Sequence, residues 1–221
     1  MPRPEASAVP SPNVDESPAL LATLERVLRG RRSVRRYQEA LVPRAAVERA
    51  LATAALAPSP HHSAPWRFAV LTRPTAKATL ARAMGAAWRD DLARDGVSAA
   101  RIRIVLDRSF ERIAGAPVVV VLCITEARLD HYPDAPRQAA ERAMAAQSTG
   151  AALQNIMLAA HAQALASCWM CAPLFCPDTV VSCLGLDPAL RPQALLTLGY
   201  ASEPPPPREP PAVPELVALW D

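Results

Sequence analysis

The run PVVVVLCIT at residues 117–125 is the sequence feature that most limits how this chain can fold. Almost every position is β-branched or otherwise apolar, and no polar residue alternates with them. β-branched residues favour strands, and an uninterrupted apolar run is typical of a strand covered on both faces. The run therefore predicts a central strand with other layers of structure packed above and below it.

Helices and isolated strands are predicted around this strand. Leucines and a valine recur at helical spacing from residue 20 and stop at Gly30, and a second helix begins at Pro43 and ends before Pro58. Further helices are expected over 75–115, with a break near Gly96, and over 137–165, and further strands over 67–72 and 194–200. This order indicates an α+β or α/β fold with a small sheet.

The chain of 221 residues predicts a single domain with flexible ends. Residues 1–17 are rich in proline, serine and acidic groups and are expected to form a disordered leader. The folded domain should cover 18–203, and a proline-rich extension should cover 204–221. The high alanine content favours an oligomer, because alanine buries little area per residue.

Charge and hydropathy exclude several classes of function. The net charge of +3 indicates no nucleic-acid partner. The first residues lack the apolar h-region typical of a signal peptide, and no apolar run is long enough to span a membrane, so neither feature is expected. A cytoplasmic location is expected. Four of the five cysteines crowd between 168 and 183, which suits reduced thiols better than a disulfide framework.

Three segments could carry chemistry. RGRRSVRRY, residues 29–37, could clamp a phosphate with its guanidiniums, although a solvated basic loop explains it equally well. CWMC, residues 168–171, has a metal-like spacing but apolar neighbours, so packing is favoured and no metal is predicted. In APSPHHSAPWRF, residues 57–68, adjacent histidines in an extended segment would point to opposite sides and make a poor metal pair.

Common enzyme fingerprints are not evident. We find no Ser-His-Asp order, no P-loop and no G-x-G-x-x-G pattern, so hydrolase, nucleotide-kinase and Rossmann interpretations have no support in the sequence.

Taken in order along residues 20–208, RRSVRRY, APSPHHSAPWRF, ALASCWM and LLTLGY resemble the FMN-dependent nitroreductase family. The usual second motif of that family has asparagine where His62 stands and glutamine where Ala64 stands. The resemblance implies an α+β fold with a small central mixed sheet flanked by helices. It also implies an intertwined homodimer with FMN at the interface.

A narrower resemblance links PHH, the segment 115–144 and SCWMCAPLFCPDTV to the reductase domain of bifunctional coenzyme F420 biosynthesis proteins. It implies reduction of the double bond of dehydro-coenzyme F420-0 by hydride transfer from reduced FMN. Two alternatives stay open: a broad-specificity NAD(P)H-dependent nitro or quinone reductase, and a non-catalytic flavin or deazaflavin binding module.

The resemblance also implies site residues. Arg31, Arg32 and Ser33 would hold the phosphate of FMN, Arg35 would lie near the phosphate or the flavin ring, and Arg208 would complete the phosphate site. Pro58, Ser59, Pro60 and His62 would come from the partner chain, and Ser167, Cys168, Trp169 and Met170 would follow the strand that faces the flavin. His61 and His62 are the candidates for contacting substrate and for delivering a proton.

Overall fold

The computed structural model describes residues 17–220, which form an antiparallel sheet packed between helices. The predicted leader, residues 1–17, lies outside the described residues except for its last residue. The elements are α1 (Ser17–Gly30), α2 (Arg44–Ala52), β1 (Trp66–Leu71), α3 (Pro74–Arg94), α4 (Ala99–Ala114), β2 (Val118–Thr125), α5 (Ala135–Ala162), β3 (Ala166–Met170), α6 (Pro177–Leu184), β4 (Leu190–Gly199) and α7 (Val213–Leu216).

The strand order is β1-β2-β4-β3, and all three neighbouring pairs are antiparallel. We expected a mixed sheet. Among the described residues, parallel pairing is confined to an isolated bridge between Ser33 and Ser167. The prediction of a buried central strand is confirmed, because every residue of β2 is buried.

The two faces of β2 belong to separate clusters of buried side chains. Val118, Val120 and Leu122 pack with α2 and α5, whereas Val119 and Val121 pack with α3 and α6. This division explains the uninterrupted apolar run, since a strand covered on both faces has no solvent side that would carry polar residues.

Local signals set several helix ends. Ser98 accepts a hydrogen bond from the backbone N–H of Arg101 at the start of α4, and Asp134 does the same for Arg137 at the start of α5. Gly185, with φ of 61°, ends α6 in the left-handed conformation. No helix within 17–220 combines the length and apolar character that a membrane span requires.

Candidate functional site

The arginine-rich segment after α1 lies along β3, at one edge of the sheet. Ser33 pairs with Ser167, and the backbone N–H of Val34 donates to the Ser167 carbonyl at 2.9 Å. Further along, the Gln38 N–H donates to the Tyr200 carbonyl at 2.9 Å. These two backbone hydrogen bonds hold the segment against the sheet. They therefore fix the backbone positions from which the arginine side chains extend.

Tyr37 anchors the same segment from inside. Its hydroxyl lies 2.6 Å from Thr197 Oγ1 and donates to the Val34 carbonyl at 2.7 Å. Burial raises the pKa of Tyr37 well above its usual value, so the phenol stays protonated as a hydrogen-bond donor. Sequence inspection did not single out this residue.

The exposure of the side chains varies along the segment. Val34 is half-buried, whereas Ser33 and Arg35 are exposed. Burial raises the pKa of the Cys168 thiol, and the Arg35 guanidinium, which hydrogen-bonds to that thiol, opposes this shift. Arg35 therefore lies near Cys168.

The residues of SCWM lie beside the arginine segment, but the prediction that they follow a strand was wrong. Ser167, Cys168, Trp169 and Met170 do not follow a strand; they form most of β3 and pair with β4. Ser167 and Cys168 are buried, and Trp169 is 38% exposed. The side chain of Cys168 therefore packs inside, and only its backbone is available at the sheet edge.

A cavity of about 170 Å³ opens where α1 and α5 end and β3 begins. Its lining includes Arg31, Arg32, His161, Ser167 and Pro205, and the set of lining residues contains no aspartate or glutamate. Guanidinium forks without a competing carboxylate suit a phosphate monoester. Arg208 is exposed and does not line the cavity, although Pro205 of the same tail does.

The histidine segment has a different backbone from the one we predicted. Pro60–His62 is a single 3-10 turn, and the φ angles of His61 and His62 are 53° and 50°. The segment is therefore not extended. The left-handed region is strained for residues with a Cβ, and such strain is often found at functional sites. Ser59 supports the turn by accepting the Ala64 N–H at 3.0 Å.

Both histidine side chains are exposed at this turn. His61 Nε2 lies 3.5 Å from Asp130 Oδ2, in the connection between β2 and α5. The imidazoles are therefore accessible to a bound molecule.

The histidine turn and the arginine segment lie at opposite edges of the sheet. The turn precedes β1, whereas Ser33 lies beside β3, and two strands separate β1 from β3. At roughly 4.8 Å per strand spacing, the two edges are about 14 Å apart. Within one chain, Pro58, Ser59, Pro60, His61 and His62 do not meet the arginines.

A larger cavity, of about 390 Å³, lies at the other end of β4. An ion pair between Arg142 and Glu126, with 3.1 Å between Nε and Oε1, forms part of its wall. None of the predicted site residues lines this larger cavity. We therefore take the smaller cavity as the candidate site, because the predicted Arg31 and Arg32 line it.

The five cysteines are all free thiols, as expected. Over residues 17–220, no cluster of three or more His, Cys, Asp or Glu side chains is arranged to hold a metal ion. Burial raises the pKa of Cys123 to about 11 and also raises that of Cys176.

His161, which lines the smaller cavity, was not singled out by sequence inspection. It lies in the last turn of α5, remote in sequence from the arginines, and no local motif marks it. Only the packing of α5 against α1 brings it to the cavity.

Comparison with known proteins agrees with this fold. The model of the "Nitroreductase family" matches residues 28–200. The Bacillus subtilis protein named "Putative NAD(P)H nitroreductase YfhC" is 25% identical over 187 residues, which are 83% of this chain and 87% of that protein.

Two solved structures show the same fold. An FMN-dependent nitroreductase, NfnB from Mycobacterium smegmatis, in complex with NADPH, superposes with a TM-score of 0.69 at 22% identity, covering 91% of this chain and all of the other. A BluB-like flavoprotein from Clostridium difficile superposes with a TM-score of 0.72 at 21% identity, covering 90% and 99%.

Proposed function

Because this chain belongs to the nitroreductase family, we propose that it is an FMN-dependent oxidoreductase that takes electrons from NAD(P)H and passes them to a small organic acceptor. The names of YfhC and of the NfnB complex support both the cofactor and the donor. The main structural support is the cavity beside β3, because its guanidinium groups are suited to binding the phosphate of a flavin.

The donors at this cavity fit FMN. Arg31 and Arg32 line it, and Ser33 and Arg35 are exposed on the same segment. Arg31 and Arg32 would hold the phosphate, each charge-assisted bond contributing about 1.5–3 kcal/mol. Ser33 would donate a neutral hydrogen bond beside them.

When bound, FMN supplies hydride transfer in two half-reactions, first accepting from the nicotinamide and then donating to the acceptor. The residues of the chain would position the cofactor and supply positive charge beside it. Arg35 holds a fixed cation at the sheet edge, where negative charge on a reduced ring would be stabilised.

The remaining predicted residues reach the site only if a second copy of the chain supplies them. Pro58, Ser59, Pro60, His61 and His62 lie at the far edge of the sheet from Arg31. In a homodimer with the FMN site at the interface, the partner's turn would face the arginines. The exposed leucines of α1, which are 43–56% exposed, are suited to such an interface.

The function is tested by anaerobic mixing of the FMN-loaded protein with NADPH or NADH, followed by p-nitrobenzoate or a benzoquinone. We expect loss of the oxidised flavin absorbance with a nicotinamide and its return with the acceptor. A protein that binds FMN but is reduced by neither nicotinamide would contradict the proposed donor.

A second candidate substrate is dehydro-coenzyme F420-0, and the exposed histidines favour it. In this reaction the carbon–carbon double bond gains a hydride at one carbon and a proton at the other, and reduced FMN is oxidised. His61 or His62 would bind an anionic group of the substrate and could supply the proton. Conversion of dehydro-coenzyme F420-0 by the reduced protein would support this substrate; turnover of nitroaromatics alone would reject it.

Substitution of the histidines separates their chemistry from their backbone. In His62→Ala the imidazole is lost but the strained φ remains, whereas His62→Gly removes both the imidazole and the strain. If the imidazole acts on the substrate, both variants lose turnover by about tenfold or more. Full activity in both variants, and in the corresponding His61 pair, would show that the histidines only shape the turn.

A further inference from the structure

The cavity beside β3 contains a residue that the family resemblance did not assign. His161, from the last turn of α5, lines the same 170 Å³ space as Arg31 and Arg32. The three side chains come from two segments that are remote in sequence.

Gly30 shows how closely the imidazole approaches the end of α1. A Cβ atom at position 30 would lie 2.4 Å from His161 Nε2 and 3.2 Å from Cε1. Side chains do not tolerate contacts this short, so glycine is required while the imidazole holds this position. The close approach places Nε2 beside the start of the arginine segment.

The electrostatics of the cavity favour an anion. Burial lowers the pKa of His161, and the positive charge of Arg31 lowers it further. The residues that line the cavity include no carboxylate that would offset these charges. An anion bound between His161, Arg31 and Arg32 would offset the repulsion between their positive charges and so favour protonated His161. The carbonyl groups at the end of α5 also favour a positive charge on His161.

We propose that His161 is a third ligand of the phosphate of FMN, acting with Arg31 and Arg32, and that Gly30 is the small residue that admits it. This inference rests on the proposed function. It adds a residue contact and a pH dependence that the family assignment does not contain.

The pH dependence follows from the charges. Arg31 and Arg32, from the segment after α1, and Ser167, from β3, line the cavity together with His161. Binding of phosphate draws a proton onto His161, so the affinity for FMN should rise as pH falls toward the lowered pKa of the free imidazole. Below about pH 6 the phosphate itself takes up a proton, and the rise in FMN affinity is lost.

The test compares FMN with riboflavin, which has the same ring and no phosphate, in fluorescence titrations of the full chain. His161→Gln should bind FMN about 10- to 100-fold more weakly, as expected for loss of a charge-assisted bond, and bind riboflavin like the wild type. The FMN affinity of this variant should also lose the rise that the wild type shows as pH falls. His131→Gln, at an exposed histidine, is the matched control and should change neither affinity.

Two results would overturn the inference: unchanged FMN affinity in His161→Gln, or an equal loss for FMN and riboflavin, which would indicate packing alone. Failure of the proposed function looks different, because then the wild type itself would bind no FMN.

Gly30→Ala provides an independent check. In the wild-type background its methyl group should displace the imidazole and weaken FMN binding but not riboflavin binding. In a His161→Ala background the methyl group has room, so the second substitution should add little further loss. Additive losses would contradict the proposed contact.

Discussion

Burial at single residues separates the five thiols of this chain. Cys171 is exposed, whereas Cys123 in β2 and Cys168 in β3 are buried. Burial raises the pKa of Cys123 to about 11 and also raises that of Cys168, so both stay protonated near pH 8. Thiolates, not thiols, are the nucleophiles.

We therefore expect iodoacetamide at pH 8 to modify Cys171 first in the native protein, with Cys123 and Cys168 protected until the protein unfolds. Mass spectrometry of peptides after timed quenching measures this order. Native modification of Cys123 at the rate of Cys171 would show that β2 is not closed on both faces.

The backbone of the histidine turn shows a limit of sequence analysis at the residue scale. Two prolines flank the pair and favour an extended segment, but His61 and His62 adopt positive φ. Glycine would have signalled this conformation; histidine adopts positive φ more often than most residues do, but only in a minority of cases. The local bond from Ala64 N–H to Ser59 Oγ closes the turn, and His61 Nε2 lies 3.5 Å from Asp130 Oδ2, which is remote in sequence.

At the scale of elements, long helices and apolar strands were predictable and short ones were not. The sequence predicted β2 and α5 because their apolar residues follow a clear pattern. It missed β3 and α6, which are five and eight residues long. β3 is a strand because it pairs with β4, which no local signal in ASCWM reveals.

The fit of β4 against its neighbours gives a prediction at this scale. A Cβ at Gly199 would lie 2.8 Å from the ring of Pro117 and 2.8 Å from the ring of Tyr37, neither of which can move freely. Gly199→Ala should destabilise the protein by about 1–3 kcal/mol through overpacking. It should also loosen the arginine segment, which Tyr37 anchors.

Gly85→Ala, in α3, is the control, because within 4 Å the added Cβ would meet only Leu106 of α4, at 3.9 Å. Alanine is the better helix former, so this variant should be neutral or more stable by up to about 1 kcal/mol. Urea unfolding measures both variants. Equal stability of Gly199→Ala and the wild type would contradict the tight packing of β4.

The arrangement of the whole molecule separates the two halves of the predicted site. The arginine segment and the SCWM residues, which we predicted to share a site, lie close together in the fold, since Ser33 pairs with Ser167. Sequence order alone could not reveal that the histidine turn lies at the opposite edge, since this depends on strand order. His161 was missed for the same reason.

The exposed leucines of α1 test whether a second copy completes the site. No residue of α1 is buried within the chain, and Leu28 is 43% exposed. Leu28→Glu should shift the protein toward monomer and weaken FMN binding by at least about tenfold, because a charge would enter an apolar interface. Ile104→Glu on α4, at 44% exposure, is the matched control and should leave both unchanged.

The most direct test of an FMN site built from two chains is size-exclusion chromatography with light scattering and flavin absorbance on the FMN-loaded wild-type protein. Flavin should elute with a particle of twice the 23.7 kDa chain mass, carrying a single FMN per chain. Flavin that elutes with a particle of one chain mass, or no flavin bound at any FMN concentration, would contradict the account.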